Sequence, residues 1–435
     1  MHPYVLKRPE HPVSRRQIDV IALKVLYRLI DAGFVAYLVG GAVRDLMLGR
    51  KPKDFDVGTT AHPSDVRALF RNSRLIGRRF PLVHVFFGGN RIVEVATFRA
   101  TPQGASATDN GAALSPDNSF GTAEEDAFRR DFTINALFYD PKTYGVLDYV
   151  SGLADLKLKL VRTVGEAELR MREDPVRMVR AVRLAAKLGF ELEPGLRAAI
   201  EACRAQVLDA PPARLVEELY RMLAADGSAR ALGLMRELGL LEVLLPGWCQ
   251  WLGESSGAWE RGAQNLGALE AARKSGADVS RSMMLAGLFA ELGMRQANSA
   301  VAQAQLVKEL RERGFARAEI ARVKLLLNAL WRLRTRRRLE RIARQPYYGE
   351  AQKLYQLVAS SYGLEPAMPT GVESSHARAP FDGAHKGRRP RRRRRVRRPG
   401  IPLAPRSPSD EAAPSGDQTL ALDAPPMAAL SARRS

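Results

Sequence analysis

Cysteine is almost missing from this chain of 435 residues, which contains only Cys203 and Cys249. Two cysteines in apolar, helix-like surroundings cannot form a disulfide framework. This excludes the small disulfide-stapled scaffolds and points to a reduced, cytoplasmic setting in which both residues fill core space. Apolar runs of about 18 residues are also lacking, so no segment reads as a membrane-spanning helix. The first residues, MHPYVLKRPEHPVSRRQIDV, have no apolar signal core. There is no internal repeat, and the six histidines are scattered without metal-ligand spacing.

Acidic residues are in deficit: 47 Asp and Glu stand against 68 Lys and Arg, for a net charge of +21. Such an imbalance favours a polyanionic partner and says little about fold. Residues 386–398 (KGRRPRRRRRVRR) hold ten of the basic residues and no acid. The rest of the chain stays basic without them. Apolar residues make up 46% of the sequence, enough for real cores, and the length predicts two to four packed units.

Residues 17–33 carry apolar positions at helical spacing and end in Gly33. FVAYLVGG then reads as a buried strand entering a glycine pair, AVRDLMLG as a short helix, and KDFDVGTT as an alternating strand. LVHVFFGG and RIVEVATFR read as two adjacent strands joined by a turn. Residues 100–124 break the pattern and predict a mobile surface loop. From about residue 166 the pattern is helical almost without interruption, with one or two strongly basic helices over 315–345. Beyond about residue 364 the composition predicts disorder.

The chemistry starts at Lys53-Asp54-Phe55-Asp56-Val57. In a strand, side chains alternate, so Asp54 and Asp56 share a face. Two such carboxylates repel unless a cation neutralises them, and hard oxygen ligands suit Mg²⁺. Glu94, on a strand of its own, supplies the third carboxylate of a two-metal site. Thirteen residues ahead of Asp54, Gly41 closes a Gly40-Gly41 turn between strand and helix. This is a junction whose N–H groups approach phosphate oxygens, with Arg44 adding a charge-assisted contact.

LVGGAVRDLMLGRKPKDFDVGTTA resembles the head of the polymerase-β-type nucleotidyltransferases, and more narrowly the class II group that contains bacterial poly(A) polymerases and tRNA CCA-adding enzymes. The resemblance covers roughly residues 20–220. It implies that Gly40, Gly41 and Arg44 hold a nucleoside triphosphate and that Asp54 and Asp56 bind two Mg²⁺ ions, with ATP as substrate. Asp126–Ala136 (DAFRRDFTINA) resembles the family's arginine-rich motif, with Arg129 and Arg130 on the triphosphate and Asp131 orienting a guanidinium. Glu173-Asp174-Pro175-Val176-Arg177 reads as the start of a helix whose Asp174 and Arg177 share a face, and the resemblance makes them the pair that selects the base. Arg214 and Glu218, four apart, read as a brace within the neck.

Arg78 and Arg79 lie in LIGRRFPLVHV, a segment resembling that of bacterial poly(A) polymerases, where His84 reads as strand packing. With Arg336, Arg337 and Arg338 of the basic helices and Arg391, Arg392 and Arg393 of the tail, they form the expected RNA contacts. Tyr347 and Tyr348 suit base stacking or core packing equally. No appended histidine–aspartate phosphohydrolase domain is expected. The fold expected is α+β: a nucleotidyltransferase head with a small mixed sheet over 15–150, an all-α neck over 151–235, a helical RNA-binding body over 236–363 and a disordered Arg-rich tail over 364–435. The expected activity is template-independent addition of AMP to RNA 3′ ends in the cytoplasm, with no membrane partner and protein partners left open. A CCA-adding enzyme is the alternative, and a non-catalytic RNA-binding protein the remote one.

Overall fold

The computed structural model describes residues 2–77, 82–100, 120–253, 256–294 and 300–366. Eight strands build one mixed sheet: β1 (Tyr4–Leu6), β2 (Ala36–Val39), β3 (Asp56–Thr59), β4 (Ser73–Ile76), β5 (Leu82–Phe87), β6 (Arg91–Thr97), β7 (Leu137–Tyr139) and β8 (Val146–Asp148). Their order is β1-β8-β7-β2-β3-β6-β5-β4. Only β3 and β6 pair in parallel; every other neighbour is antiparallel. The two strands expected around the turn at 88–90 are β5 and β6, whereas the strand expected from Lys53 begins only at Asp56, leaving Asp54 two residues ahead of it.

The two faces of the sheet differ. One carries Leu38, Val57, Val95 and Leu137 into the main core, against α1 (Val20–Asp31). Helix α1 forms because Asp19 caps it, accepting the Ile21 N–H at 2.6 Å, and because Ile21, Val25, Leu26 and Leu29 fall on one stripe. Helices α2 (Gly41–Met47) and α3 (Pro63–Leu69) follow β2 and β3. The other face has a smaller apolar cluster of Val39, Phe98, Phe138, Ala123 and Ala127. It lies under α4 (Ala123–Arg129), which starts with a Thr122/Glu125 capping box. By the two-residue period, Asp56 and Gly58 lie on this second face.

The remainder is helical. Helix α5 (Gly152–Leu158), α6 (Ala167–Glu173), α7 (Val176–Leu188), α8 (Pro194–Cys203) and α9 (Pro212–Leu223) follow the sheet, with a small parallel pair, β9 (Leu160–Val161) and β10 (Glu191–Leu192), set among them. The helix expected to start at Glu173 is α7, which begins three residues later; a separate helix, α6, ends at Glu173, and Asp174 and Pro175 join the two. Proline at 175 cannot donate the N–H that a continuous helix would need, so the break falls where it stands. The basic stretch forms the helices Arg317–Thr335 and Leu339–Ala343. Nearly all of the expected loop (101–119) and the whole tail from 367 lie outside the described residues. Cys203 is fully buried and Cys249 half-buried, and neither forms a disulfide.

Gly58 is required by close approach. A Cβ there would sit 2.5 Å from Phe98 Cε1 and 2.9 Å from Val39 Cγ1, both buried. Gly58→Ala is therefore expected to destabilise the head by about 1–3 kcal/mol, the cost typical of overpacking. It will appear as a lower melting midpoint by circular dichroism, whereas an unchanged midpoint would mean that the second face has room to spare.

Candidate active site

Strand register brings the site together. Val39 at the end of β2 pairs with Asp56 at the start of β3. Val57 pairs with Val95, so one step back Asp56 comes beside Glu94 on the parallel neighbour β6. Both face away from the main core. Glu94 in turn lies opposite His84 of β5, whose Nε2 is 3.2 Å from a Glu94 carboxylate oxygen. His84 is therefore placed against a site carboxylate and does more than pack its strand. Asp54, exposed, approaches from the loop before β3.

Asp56 records this crowding. Its pKa is pushed up from 3.8 to about 6, first by burial, then by the charges of Glu94 and Asp54; Arg130 partly offsets them. A carboxylate held in that condition is one that a cation would relieve. Among the described residues no three His, Cys, Asp or Glu groups enclose a metal by themselves. The three carboxylates share a field without closing a cage. That suits Mg²⁺, which keeps several waters and takes substrate phosphate oxygens as its remaining ligands.

The glycine turn sits next to them. Gly40 follows Val39 with φ +71°, a conformation that L side chains rarely adopt, and a Cβ there would stand 3.0 Å from Arg130 Nη1. Gly41 opens α2, whose first N–H groups have no intrahelical acceptors. Arg44 does not point out over this turn. Its guanidinium is buried, donates to Asp45 Oδ1 at 2.6 and 2.8 Å, and reaches Asn135 Oδ1 at 2.5 Å. It holds the turn from behind, because an adjacent carboxylate and an amide already occupy its donors.

Asn135 is the hub of this arrangement. Its Oδ1 takes Arg44, its carbonyl accepts from Arg130 Nη1 at 3.2 Å, and its Nδ2 donates to Asp131 at 3.2 Å. Arg130 also forks onto Asp126 at 2.8 and 3.0 Å and lies 5.2 Å over the Phe138 ring, beside Gly40. Arg129 donates to the Ala100 carbonyl. Asp131 does orient a guanidinium, that of Arg180 on α7, 2.7 Å away. Burial would push the Asp131 carboxyl up, yet Arg180, Asn135 and the Phe132 N–H together hold it below the usual range. Arg170 on α6 donates to the carbonyls of Arg129 and Arg130 at 2.8 and 2.7 Å, fastening the arginine motif to the neck.

The two residues expected to read the base each bond a different neighbour. Arg177 is turned to Glu173 at 3.0 Å and the Arg170 carbonyl at 2.8 Å. Asp174 receives both arms of Arg214, at 3.1 and 2.8 Å. Asp174 and Arg177 keep their i,i+3 spacing at the start of α7, where the Arg177 N–H donates to the Asp174 carbonyl at 2.9 Å, but their side chains bond elsewhere. Arg214 therefore does not brace Glu218. That buried carboxylate takes Arg183 at 2.8 Å and Arg221 at 3.5 Å, and lies 3.9 Å from Arg180. Asn135, Arg170 and Arg180 escaped the sequence reading. Asn135 lies inside the arginine-rich motif and Arg180 just past the motif at Glu173–Arg177, and neither position shows its partner in the sequence.

On the body, Arg336, Arg337 and Arg338 are all exposed around the turn that ends the helix Arg317–Thr335. Arg336 and Arg338 adopt φ of +54° and +55°, and Arg337 lies 5.9 Å over Trp331. Tyr347 and Tyr348 are half-buried and pack on the core. Arg78, Arg79, Arg391, Arg392 and Arg393 lie outside the described residues. No helix among the described residues is long and apolar enough to cross a membrane.

Residues 36–162 match the model of the poly A polymerase head domain, and residues 189–252 the model described as probable RNA and SrmB-binding site of polymerase A. A poly(A) polymerase I of Salmonella typhi is 50% identical over 252 residues, 56% of this chain and 54% of its own. A CCA-adding enzyme of Geobacillus stearothermophilus is 39% identical over 229 residues, 52% of this chain and 54% of its own. The chain thus spans about half the length of the curated relatives it matches. A crystal structure of the Bacillus stearothermophilus CCA-adding enzyme in complex with CTP superposes with a TM-score of 0.51 at 28% identity, covering 77% of this chain and 81% of that one.

The raised Asp56 pKa has a consequence in solution. Its charged form, the one a cation needs, is present above about pH 6 and lost below it. Stabilisation of the full chain by Mg²⁺, read as a rise in melting temperature, is expected to be larger at pH 7.5 than at pH 5. Asp56→Asn, which cannot ionise, is expected to abolish the difference. Equal stabilisation at both pH values would remove Asp56 from the ligand set.

Proposed function

We propose that this chain, whose head and adjoining helices are those of the poly(A) polymerase family, is a polynucleotide adenylyltransferase that adds AMP from ATP to RNA 3′ ends without a template. One observation carries the reading: register sets Asp56 beside Glu94 and beside the end of the strand that leads into the Gly40 turn, with its carboxyl raised to about 6. Carboxylates that need a cation, next to backbone donors and Arg130, suit a triphosphate whose α-phosphate is to be attacked.

In this reading the 3′ oxygen bonds to the α-phosphorus, the bond from α-phosphorus to the bridging oxygen breaks, and pyrophosphate leaves. The hydroxyl proton passes to the carboxylate cluster and then to water. Two bound Mg²⁺ ions would supply Lewis-acid activation of the hydroxyl and neutralisation of the leaving charge. Asp54 and Asp56 hold them, with Glu94 as the third carboxylate. The Gly40-Gly41 turn and Arg130 cradle the β- and γ-phosphates, Arg129 and Asp131 complete that wall, and Arg44 keeps the turn in place. Asp174 and Arg177, with Arg214 added, face the base. Arg336, Arg337 and Arg338 take the RNA backbone, joined by Arg78, Arg79 and the tail arginines 391–393. The head spans 15–150, the neck 151–235, the body 236–363 and the tail 364–435. The setting is the cytoplasm.

Higher identity to poly(A) polymerase I (50%) than to CCA-adding enzymes (39%) favours long adenylate tails. The fold shared with a CTP-bound CCA-adding enzyme supports the second reading, addition of C, C and A to tRNA. Extension of a generic oligonucleotide with ATP alone, resolved by length, separates the two. Long tails fit the first reading, and addition that stops after three nucleotides on a trimmed tRNA alone fits the second.

Asp54→Ala and Asp56→Ala are each expected to lower AMP incorporation by about 1,000-fold or more, several kcal/mol of lost charge stabilisation, while RNA binding is kept. Activity retained in both would sink the assignment. Deleting residues 386–435 is expected to weaken RNA affinity and flatten its salt dependence, with turnover at saturating RNA largely kept. An unchanged salt slope would show that the tail arginines do not meet phosphate.

A further inference from the structure

On the other side of the head is a feature that the proposed reaction does not use. An open pocket of about 600 Å³ lies between the N-terminal segment and the β7–β8 end of the sheet. Its polar lining is Arg8, Ser14, Arg15, Arg16, Tyr139 and Tyr144. Tyr139 alternates with Phe138 along β7 and joins the main core, whereas Phe138 belongs to the cluster on the Asp56 face. The pocket and the carboxylates are therefore on opposite faces of the sheet.

Three guanidinium groups line one concavity, and no carboxylate is among the lining residues. Two are held in place. Arg8 Nη1 donates to the His11 carbonyl at 3.2 Å, and Arg15 Nη1 donates to the Tyr27 hydroxyl at 2.9 Å while lying 5.1 Å over the Tyr144 ring. Each guanidinium has five N–H donors, so most remain available. Arg16 makes no ion pair among the described residues. The Tyr139 side chain is fully buried, yet its hydroxyl has no hydrogen-bond partner. A buried donor left unmet is costly, and what would satisfy it here is an acceptor that enters the pocket.

We infer that this pocket is a second anion site, built to take a phosphate group. A tetrahedral dianion presents several oxygens at once, matching two or three guanidinium forks and the Tyr139 O–H. The phosphate belongs either to a small phosphorylated molecule or to the backbone of RNA running behind the head; the chemistry of capture is the same. The inference does not depend on the adenylyltransferase reading, because none of these residues belongs to the carboxylate site.

The test uses the full chain without ATP. Binding of inorganic phosphate is measured by calorimetry, and binding of a short single-stranded RNA by fluorescence anisotropy across a salt series. Two variants are compared with the native chain: Arg8→Ala/Arg15→Ala/Arg16→Ala, whose residues are exposed, and Tyr139→Phe, which removes only the hydroxyl. The triple variant is expected to lose phosphate affinity about tenfold or more, and Tyr139→Phe about fivefold, roughly one hydrogen bond. Loss of phosphate binding with unchanged RNA binding identifies a small phosphorylated ligand. Loss of RNA affinity with a shallower salt slope identifies the RNA backbone. Native-like binding of both probes by the triple variant would overturn the site, whatever the outcome at Asp54 and Asp56.

Discussion

A buried charge anchors the head to the helices that follow it. Asp131 stands at the junction, and a carboxylate taken out of water must find its counter-charge or lose its ionisation. It finds Arg180, 2.7 Å away on α7, with the Asn135 amide and the Phe132 N–H as further partners. The Arg180 contact is an ion pair set off the line of a straight hydrogen bond, since Asp131 Oδ2 has no bonded donor in good geometry. Arg180 then faces Glu218 of α9, itself buried and held by Arg183. Removing one member of such a set strands the others, so α7 and α9 have one seating against the head. Asn135 carries that constraint to Arg44 behind the glycine turn and to Arg130 beside it.

Local arithmetic explains what could be read from the sequence. The Gly40 turn, the paired aspartates and Glu94 were legible because a strand repeats every two residues and a turn is confined to a few. Those short-range rules survive folding, and the register of β2, β3 and β6 brings them together in the middle of the sheet. Even there the strand began two residues late, so Asp54 reaches the site from a loop. The short strands β1, β7 and β8 have three residues each, too few to show a period.

The long-range pairings were not legible. Arg214 has Glu218 four residues away in sequence and chooses Asp174 forty residues away, because α9 packs against α7, whose start Asp174 precedes. Asp174 and Arg177 flank the start of α7 as their spacing suggests, yet Arg177 turns back to Glu173 and to the Arg170 carbonyl. The brace read between Arg214 and Glu218 assumed that a side chain prefers its nearest partner along the chain. Exposed helical pairs are each worth only a few tenths of a kcal/mol, too little to resist a better-placed guanidinium from another element.

The same reasoning separates the arginines of the head by role. Arg44, Arg170 and Arg180 are used inside: their donors meet Asp45, backbone carbonyls and Asp131, so their charge is spent on holding loops and helices. Arg130 divides its donors between Asp126 and the Asn135 carbonyl, which leaves it fixed beside Gly40 with its charge still felt at Asp56. In the proposed reading, a polyanionic substrate meets a surface whose outer arginines attract it and whose inner ones are already neutralised. Among the described residues, the field of Asp54, Asp56 and Glu94 on this face of the sheet is negative, offset only in part by Arg130. A site of that composition cannot receive a triphosphate on its own charge balance. Burial and mutual repulsion already push one carboxyl toward neutrality, and a nucleotide would add to the repulsion. A divalent cation reverses the sign of that interaction, so cation and nucleotide are expected to bind as a unit rather than as independent ligands.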